Sequence, residues 1–146
     1  MGNGTARRST RIVARNPIVE MDGDEMTRVI WAPDGLFEYE AAHGTVQRHY
    51  YQHQQGRPTS TNSTATIFAW SGAIGKRGEP DGTPALVEFA RGLERSVIET
   101  IESGTVTKDL AAISVPPVAN PATTGGFIDA IAERIGARVA GIGSDR

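Results

Sequence analysis

Two side chains suited to holding an anion, Arg48 and His49, follow closely on a glycine turn at His43-Gly44. Residues 38–42 can form a strand that ends in the small residues Ala41 and Ala42, and Thr45 then introduces an amphipathic segment with Arg48 and His49 in its first turn. A strand, a glycine turn and a helix start leave backbone N–H groups free to meet an anion. A guanidinium adds bidentate bonds to a phosphate, and an imidazole adds a second donor. The plainer alternative is a solvated helix end carrying two unrelated cations. His49 and His53 are four apart, a zinc-like spacing, but no adjacent Glu and no third ligand accompany them. Asp22 and Asp24 form a D-x-D pair without the further oxygens a hard cation needs, so they read as a turn followed by a helix cap. The chain has no cysteine, which excludes thiolate catalysis, disulfides and Cys-based zinc sites.

The elements that must position these residues follow from the apolar spacing. Residues 17–21 alternate and suit a strand, and a helix beginning at Asp24 is stopped by Ala32-Pro33. Pro33-Asp34-Gly35 is a turn leading into a second strand at 36–42. Residues 63–74 are apolar on nearly all sides and suit a buried helix, followed by a polar connector from Gly75 to Thr83. Leu86, Phe89, Ala90, Leu93, Val97 and Ile101 share one helical face, and Gly104 is placed to stop that helix. Thr107 can cap a short helix at 108–113, residues 116–121 are extended, and Phe127, Ile128, Ile131 and Ile135 make a last amphipathic helix. The expected fold class is α/β, helix-rich, with a small sheet holding at least the strands at 17–21 and 36–42. Residues 1–16 read as a basic flexible tail and 17–146 as a single domain.

At 146 residues the chain is long enough for one domain with its own core. A net charge of −2 gives no global attraction to nucleic acid or to an anionic membrane, and neither is expected as a partner. Arg7, Arg8, Arg11 and Arg15 precede the first acid, Glu20. Such a start is either a frayed basic tail or a mitochondrial presequence, so the expected location is cytoplasmic, with mitochondrial as the alternative.

The run Glu40-Ala41-Ala42-His43-Gly44-Thr45-Val46-Gln47-Arg48-His49-Tyr50, with Thr59-Ser60-Thr61-Asn62 and Ile67-Phe68-Ala69-Trp70 after it, resembles the cofactor loop of the NADP-dependent isocitrate dehydrogenases of the homodimeric eukaryotic type. The likeness continues through Ser96-Val97-Ile98-Glu99-Thr100-Ile101-Glu102-Ser103-Gly104 and Thr107-Lys108-Asp109-Leu110-Ala111-Ala112. It recurs in the N-terminal run from Pro17 to Trp31, which includes Glu20-Met21-Asp22-Gly23-Asp24. In that family more than half the protein separates the N-terminal run from the Pro-Asp-Gly that opens the next. Here Trp31 is followed by Ala32 and then Pro33-Asp34-Gly35. The resemblance therefore implies the two ends of such an enzyme joined with the central region absent.

The resemblance also implies roles. The backbone of Gly44, Thr45, Val46 and Gln47 would lie against the phosphates and adenosine ribose of NADP, with His43 toward the nicotinamide side or simply ending the strand. Arg48 and His49 would hold the 2′-phosphate. Asn62, with Thr61 as a further candidate, would contact the adenine, with Lys108 and Asp109 nearby. Gln47 stands where the family commonly has Thr, a bulkier group that still hydrogen-bonds. The implied reaction is the tricarboxylic acid cycle step in which isocitrate is oxidised by NADP and decarboxylated to 2-oxoglutarate. That step uses magnesium or manganese, carboxylate-clamping arginines and a Tyr/Lys pair, which the family draws from the missing middle. No catalytic or metal-ligating residue is expected in this chain, and turnover by it alone is not expected. An NADP-binding module and a non-functional deletion product are the alternatives to the enzyme. The family is homodimeric, and here apolar faces such as Phe68 and Trp70 are expected to be uncovered and to favour self-association.

Overall fold

The computed structural model describes residues 47–142. The expected tail, the strands at 17–21 and 36–42, the helix from Asp24 and the turn residues His43, Gly44, Thr45 and Val46 lie outside the described residues. Five helices are described: α1 (Gln47–Gln54), α2 (Thr64–Gly78), α3 (Pro84–Glu102), α4 (Lys108–Ile113) and α5 (Thr124–Ile142). The expectation of a helix-rich chain holds, but the small sheet has no counterpart here, since no strand is present among the described residues. None of the described helices is long and apolar enough to cross a membrane.

The central element is α3, which packs against α2 on one side and α5 on the other. It begins with Pro84 in its first turn, where the missing N–H costs nothing and the fixed φ already suits a helix. The apolar stripe read from the sequence faces inward. Leu86, Ala90 and Val97 are buried on α3, and Val97 packs with Phe127 and Ile131 of α5, with Ile67 of α2 on the same cluster. Two hydroxyls inside α3, those of Ser96 and Thr100, are satisfied without a distant partner. Ser96 donates to Gly92 O at 2.8 Å and Thr100 to Ser96 O at 2.7 Å.

The stop at Gly104 is as expected and has a definite geometry. Gly104 has φ +87°, its N–H donates to Ile101 O at 2.9 Å, and Thr105 N–H donates to Thr100 O at 3.1 Å. These are the paired bonds of a Schellman end, which needs the left-handed conformation that glycine adopts without strain.

Three local expectations are corrected. The segment from Gly75 was read as connector, yet α2 runs on to Gly78. Gly78 allows the helix end to press on α3. A Cβ there would meet Val87 Cγ2 at 2.9 Å and Leu86 Cβ at 3.0 Å, so the glycine serves close packing rather than a break. Second, α2 is not buried on all sides. Its buried residues are Ser71 and Gly78, whereas Phe68 and Trp70 are 37% and 38% exposed. A helix packed on one neighbour hides one face, and no described element covers the other. This is the uncovered apolar face that the sequence led us to expect. Third, Ile128 is exposed although it was assigned to the inner face of the last helix. It lies one residue, or about 100° of helical turn, beyond the fully buried Phe127.

Candidate functional site

The site is assembled around the loop of hydroxyl residues between α1 and α2. Thr59 O accepts from Thr124 N–H at 2.8 Å, and Thr61 N–H donates to Thr124 Oγ1 at 2.7 Å. Between them, Ser60 Oγ donates to Ala122 O at 2.6 Å and accepts from Lys108 N–H at 2.9 Å. Residues 59–61 are thus strapped to the start of α5 and to the start of α4. A loop must place its backbone polar groups somewhere, and here neighbouring helix starts take them.

Of the residues singled out in the sequence, Gln47, Arg48 and His49 lie in the first turn of α1, all exposed. The helix, Gln47–Gln54, carries no acidic residue and buries no residue. His49 Nδ1 lies 2.6 Å from Thr61 Oγ1, which ties α1 to the strapped loop. The zinc-like pairing of His49 with His53 gains no support, since no group of three metal-ligating side chains occurs among the described residues.

Asn62 connects α2 to α4. Its Oδ1 accepts from Thr64 N–H at 3.0 Å, at the start of α2, and its Nδ2 donates to Asp109 Oδ2 at 2.9 Å. Thr107 occupies the cap position of α4 as expected, but its hydroxyl does not cap a backbone N–H. It donates instead to Asp109 Oδ1 at 2.6 Å. Burial raises the Asp109 pKa, but the bonds from Thr107, Asn62 and the Leu110 N–H outweigh it. The carboxyl is held below its usual range. Asn62, Lys108 and Asp109, which the resemblance grouped, are therefore brought together. A cleft of about 290 Å³ opens beside them, lined in part by His49, Gln52, Ser60, Lys108 and Thr123.

The donor set suits a phosphate. His49 and Lys108 line one cleft with the hydroxyl loop, and α1, which also carries Arg48, has no acidic residue. Sequence reasoning passed over Ser60 and Thr124, which hold the loop, and gave Thr61 only as a further adenine contact. The available signal was the dense hydroxyl run Thr59-Ser60-Thr61 in a connection between two helices.

Residues 17–131 match the family model described as isocitrate/isopropylmalate dehydrogenase. The chain is 51% identical over 111 residues to NADP isocitrate dehydrogenase 1 of Mycobacterium tuberculosis, covering 75% of this chain and 27% of that protein. It is 50% identical over 113 residues to the mitochondrial NADP isocitrate dehydrogenase of Candida tropicalis, covering 75% of this chain and 26% of that protein. Against the mitochondrial NADP isocitrate dehydrogenase of Sus scrofa it is 58% identical over 87 residues, covering 59% of this chain and 21% of that protein. The chain thus spans about a quarter of the length of these curated relatives. With the match to the family model extending over most of its length, this chain belongs to the isocitrate/isopropylmalate dehydrogenase family.

Proposed function

We infer that the chain is a non-catalytic NADP-binding module derived from an NADP-dependent isocitrate dehydrogenase. The observation that carries this reading is the convergence of three sequence-distant segments. The first turn of α1, residues 59–62 and residues 107–109 are linked by the His49–Thr61, Lys108–Ser60 and Asn62–Asp109 hydrogen bonds. Arg48 and His49 would take the 2′-phosphate, and Asn62 would lie at the adenine. Gly44, Thr45, Val46 and the backbone of Gln47 would follow the rest of the nucleotide, with His43 beyond them. Bound NADP would supply a hydride acceptor, and among the described residues no group of three metal-ligating side chains accompanies it. The isocitrate clamp, the divalent-metal carboxylates and the proton-transfer pair belong to the central region that the chain lacks.

A melt of the purified chain with NADP, with NAD and with neither tests the reading. At a hundredfold excess over its dissociation constant, a ligand of the folded state stabilises it by about 2.7 kcal/mol. The expected result is a raised midpoint with NADP, a smaller or absent rise with NAD, and loss of the difference in Arg48→Ala. Equal shifts with both nucleotides, or none, would refute it. The exposure of Phe68 and Trp70 and the unburied α1 favour a second reading, a non-functional deletion product. That reading predicts no cooperative melt.

A further inference from the structure

Helix α1 has no buried residue, so packing does not fix its orientation. Among the described residues, its side-chain hydrogen bond to the rest of the molecule is the one between His49 Nδ1 and Thr61 Oγ1, at 2.6 Å. Thr61 itself is well anchored. Its N–H donates to Thr124 Oγ1 at 2.7 Å, and its neighbour Ser60 bridges Ala122 O and Lys108 N–H at 2.6 and 2.9 Å. The Thr61 hydroxyl is thus a fixed point against which a loosely held helix is set.

We propose that Thr61 is a positioning residue that sets selectivity for a nucleotide carrying a 2′-phosphate, by holding His49 Nδ1 and thereby docking the first turn of α1. This rests on the nucleotide reading above and names the group that makes its charged end selective. A bond at Nδ1 leaves Nε2 for the ligand. When the hydroxyl donates to Nδ1, the ring proton sits on Nε2. When the ring is cationic, Nδ1–H donates to the hydroxyl and Nε2 is protonated as well. In both of these states Nε2 carries a proton that it donates to a phosphate oxygen, whereas the neutral form protonated at Nδ1 leaves Nε2 an acceptor, which a bound anion disfavours. Arg48 is on the same turn and is oriented with it. In this arrangement Thr61 acts on the nucleotide through His49 rather than by touching it.

The test is calorimetric titration of the full chain with NADP and with NAD, in the wild type, Thr61→Val, Thr61→Ser, His49→Ala and the Thr61→Val/His49→Ala pair. Thr61→Val should lower the ratio of NADP to NAD affinity about tenfold, with the larger loss falling on NADP. Thr61→Ser, which keeps the hydroxyl, should preserve the ratio. On a His49→Ala background Thr61→Val should add nothing, because residues that act in series are not additive. If Thr61→Val fails to unfold cooperatively, Thr61→Ala is read by the same criteria. Equal loss of affinity for both nucleotides would mean a purely structural role and overturn the proposal, as would a wild-type ratio in the folded variant. A wild type that binds both nucleotides equally would overturn the nucleotide reading itself, an outcome separable from the failure of Thr61 alone.

Discussion

Asp109→Ala is the substitution whose cost follows most directly from the structure. The Asp109 carboxylate accepts from Thr107 Oγ1 at 2.6 Å and from Asn62 Nδ2 at 2.9 Å. The two donors differ in what they lose. Thr107 is fully buried, so its hydroxyl would be left without a partner and without water, at a cost of about 1–3 kcal/mol. Asn62 is only half-buried and can turn its amide to solvent, which recovers most of its loss. Asp109 itself is exposed, and solvent already screens its charge, so the upper end of the range does not apply. The expected destabilisation is about 2 kcal/mol. For a chain of 146 residues that lowers the melting midpoint by about 6 °C. The assay is urea unfolding followed by far-ultraviolet circular dichroism, supported by a thermal scan. Asp109→Asn keeps one acceptor oxygen and should lose roughly half as much. Thr107→Val combined with Asp109→Ala should recover part of the cost, because removing both partners leaves nothing unsatisfied. A loss below about 0.5 kcal/mol in Asp109→Ala would refute the claim that this carboxylate holds the junction of α2 and α4.

Other outcomes follow from packing and charge. Gly78→Ala places a Cβ at 2.9 Å from Val87 Cγ2 and 3.0 Å from Leu86 Cβ, and should cost about 1–3 kcal/mol in chemical unfolding. Phe127→Ala removes the largest fully buried side chain among the described residues and should cost about 3–5 kcal/mol, whereas Ile128→Ala, one residue away and exposed, should cost far less. Stability should fall on acidification. Asp109 and Glu99 are both held below the usual carboxylate range, Glu99 chiefly by the hydrogen bond from Arg138. The unfolded chain therefore binds more protons than the folded one as the pH drops, so stability rises with pH in this window. Their contribution is complete above about pH 5 and is lost as the pH falls through the folded values, which unfolding midpoints across that range will reveal. The Glu99 part should shrink in high salt, since Glu99 and Arg138 are partly exposed.

What was legible in the sequence was periodic. The face of Leu86, Ala90 and Val97, the stop at Gly104 and the start of α4 after Thr107 all came from spacing and local chemistry, and each stands. The errors came from tertiary contacts that no local pattern encodes. Gly75 and Gly78 look like helix breakers, but in α2 they let two helices approach, and a Cβ at Gly75 would lie 3.3 Å from Ala90 Cβ. The all-round apolar character of residues 63–74 suggested burial, yet whether Phe68 and Trp70 are covered depends on which elements lie against them. In the candidate site, Arg48 and His49 stand out in the sequence because their types state their chemistry, and Asn62 stands out only through the family resemblance. Thr61, Ser60 and Thr124 do not stand out by type, because a hydroxyl that straps a loop looks in sequence like any other hydroxyl. The partnership of Asn62 with Asp109 spans 47 positions, which only the fold can reveal.

The central claim is that NADP binds where α1, residues 59–62 and the start of α4 converge. A nitrogen–proton correlation spectrum of the full chain titrated with NADP tests this most directly. The account predicts saturable shifts concentrated at Arg48, His49, Ser60, Thr61, Asn62 and Lys108, with the α3–α5 core around Val97 and Phe127 unmoved, and weaker shifts with NAD. Shifts centred elsewhere, or a spectrum unchanged at millimolar NADP, would contradict it.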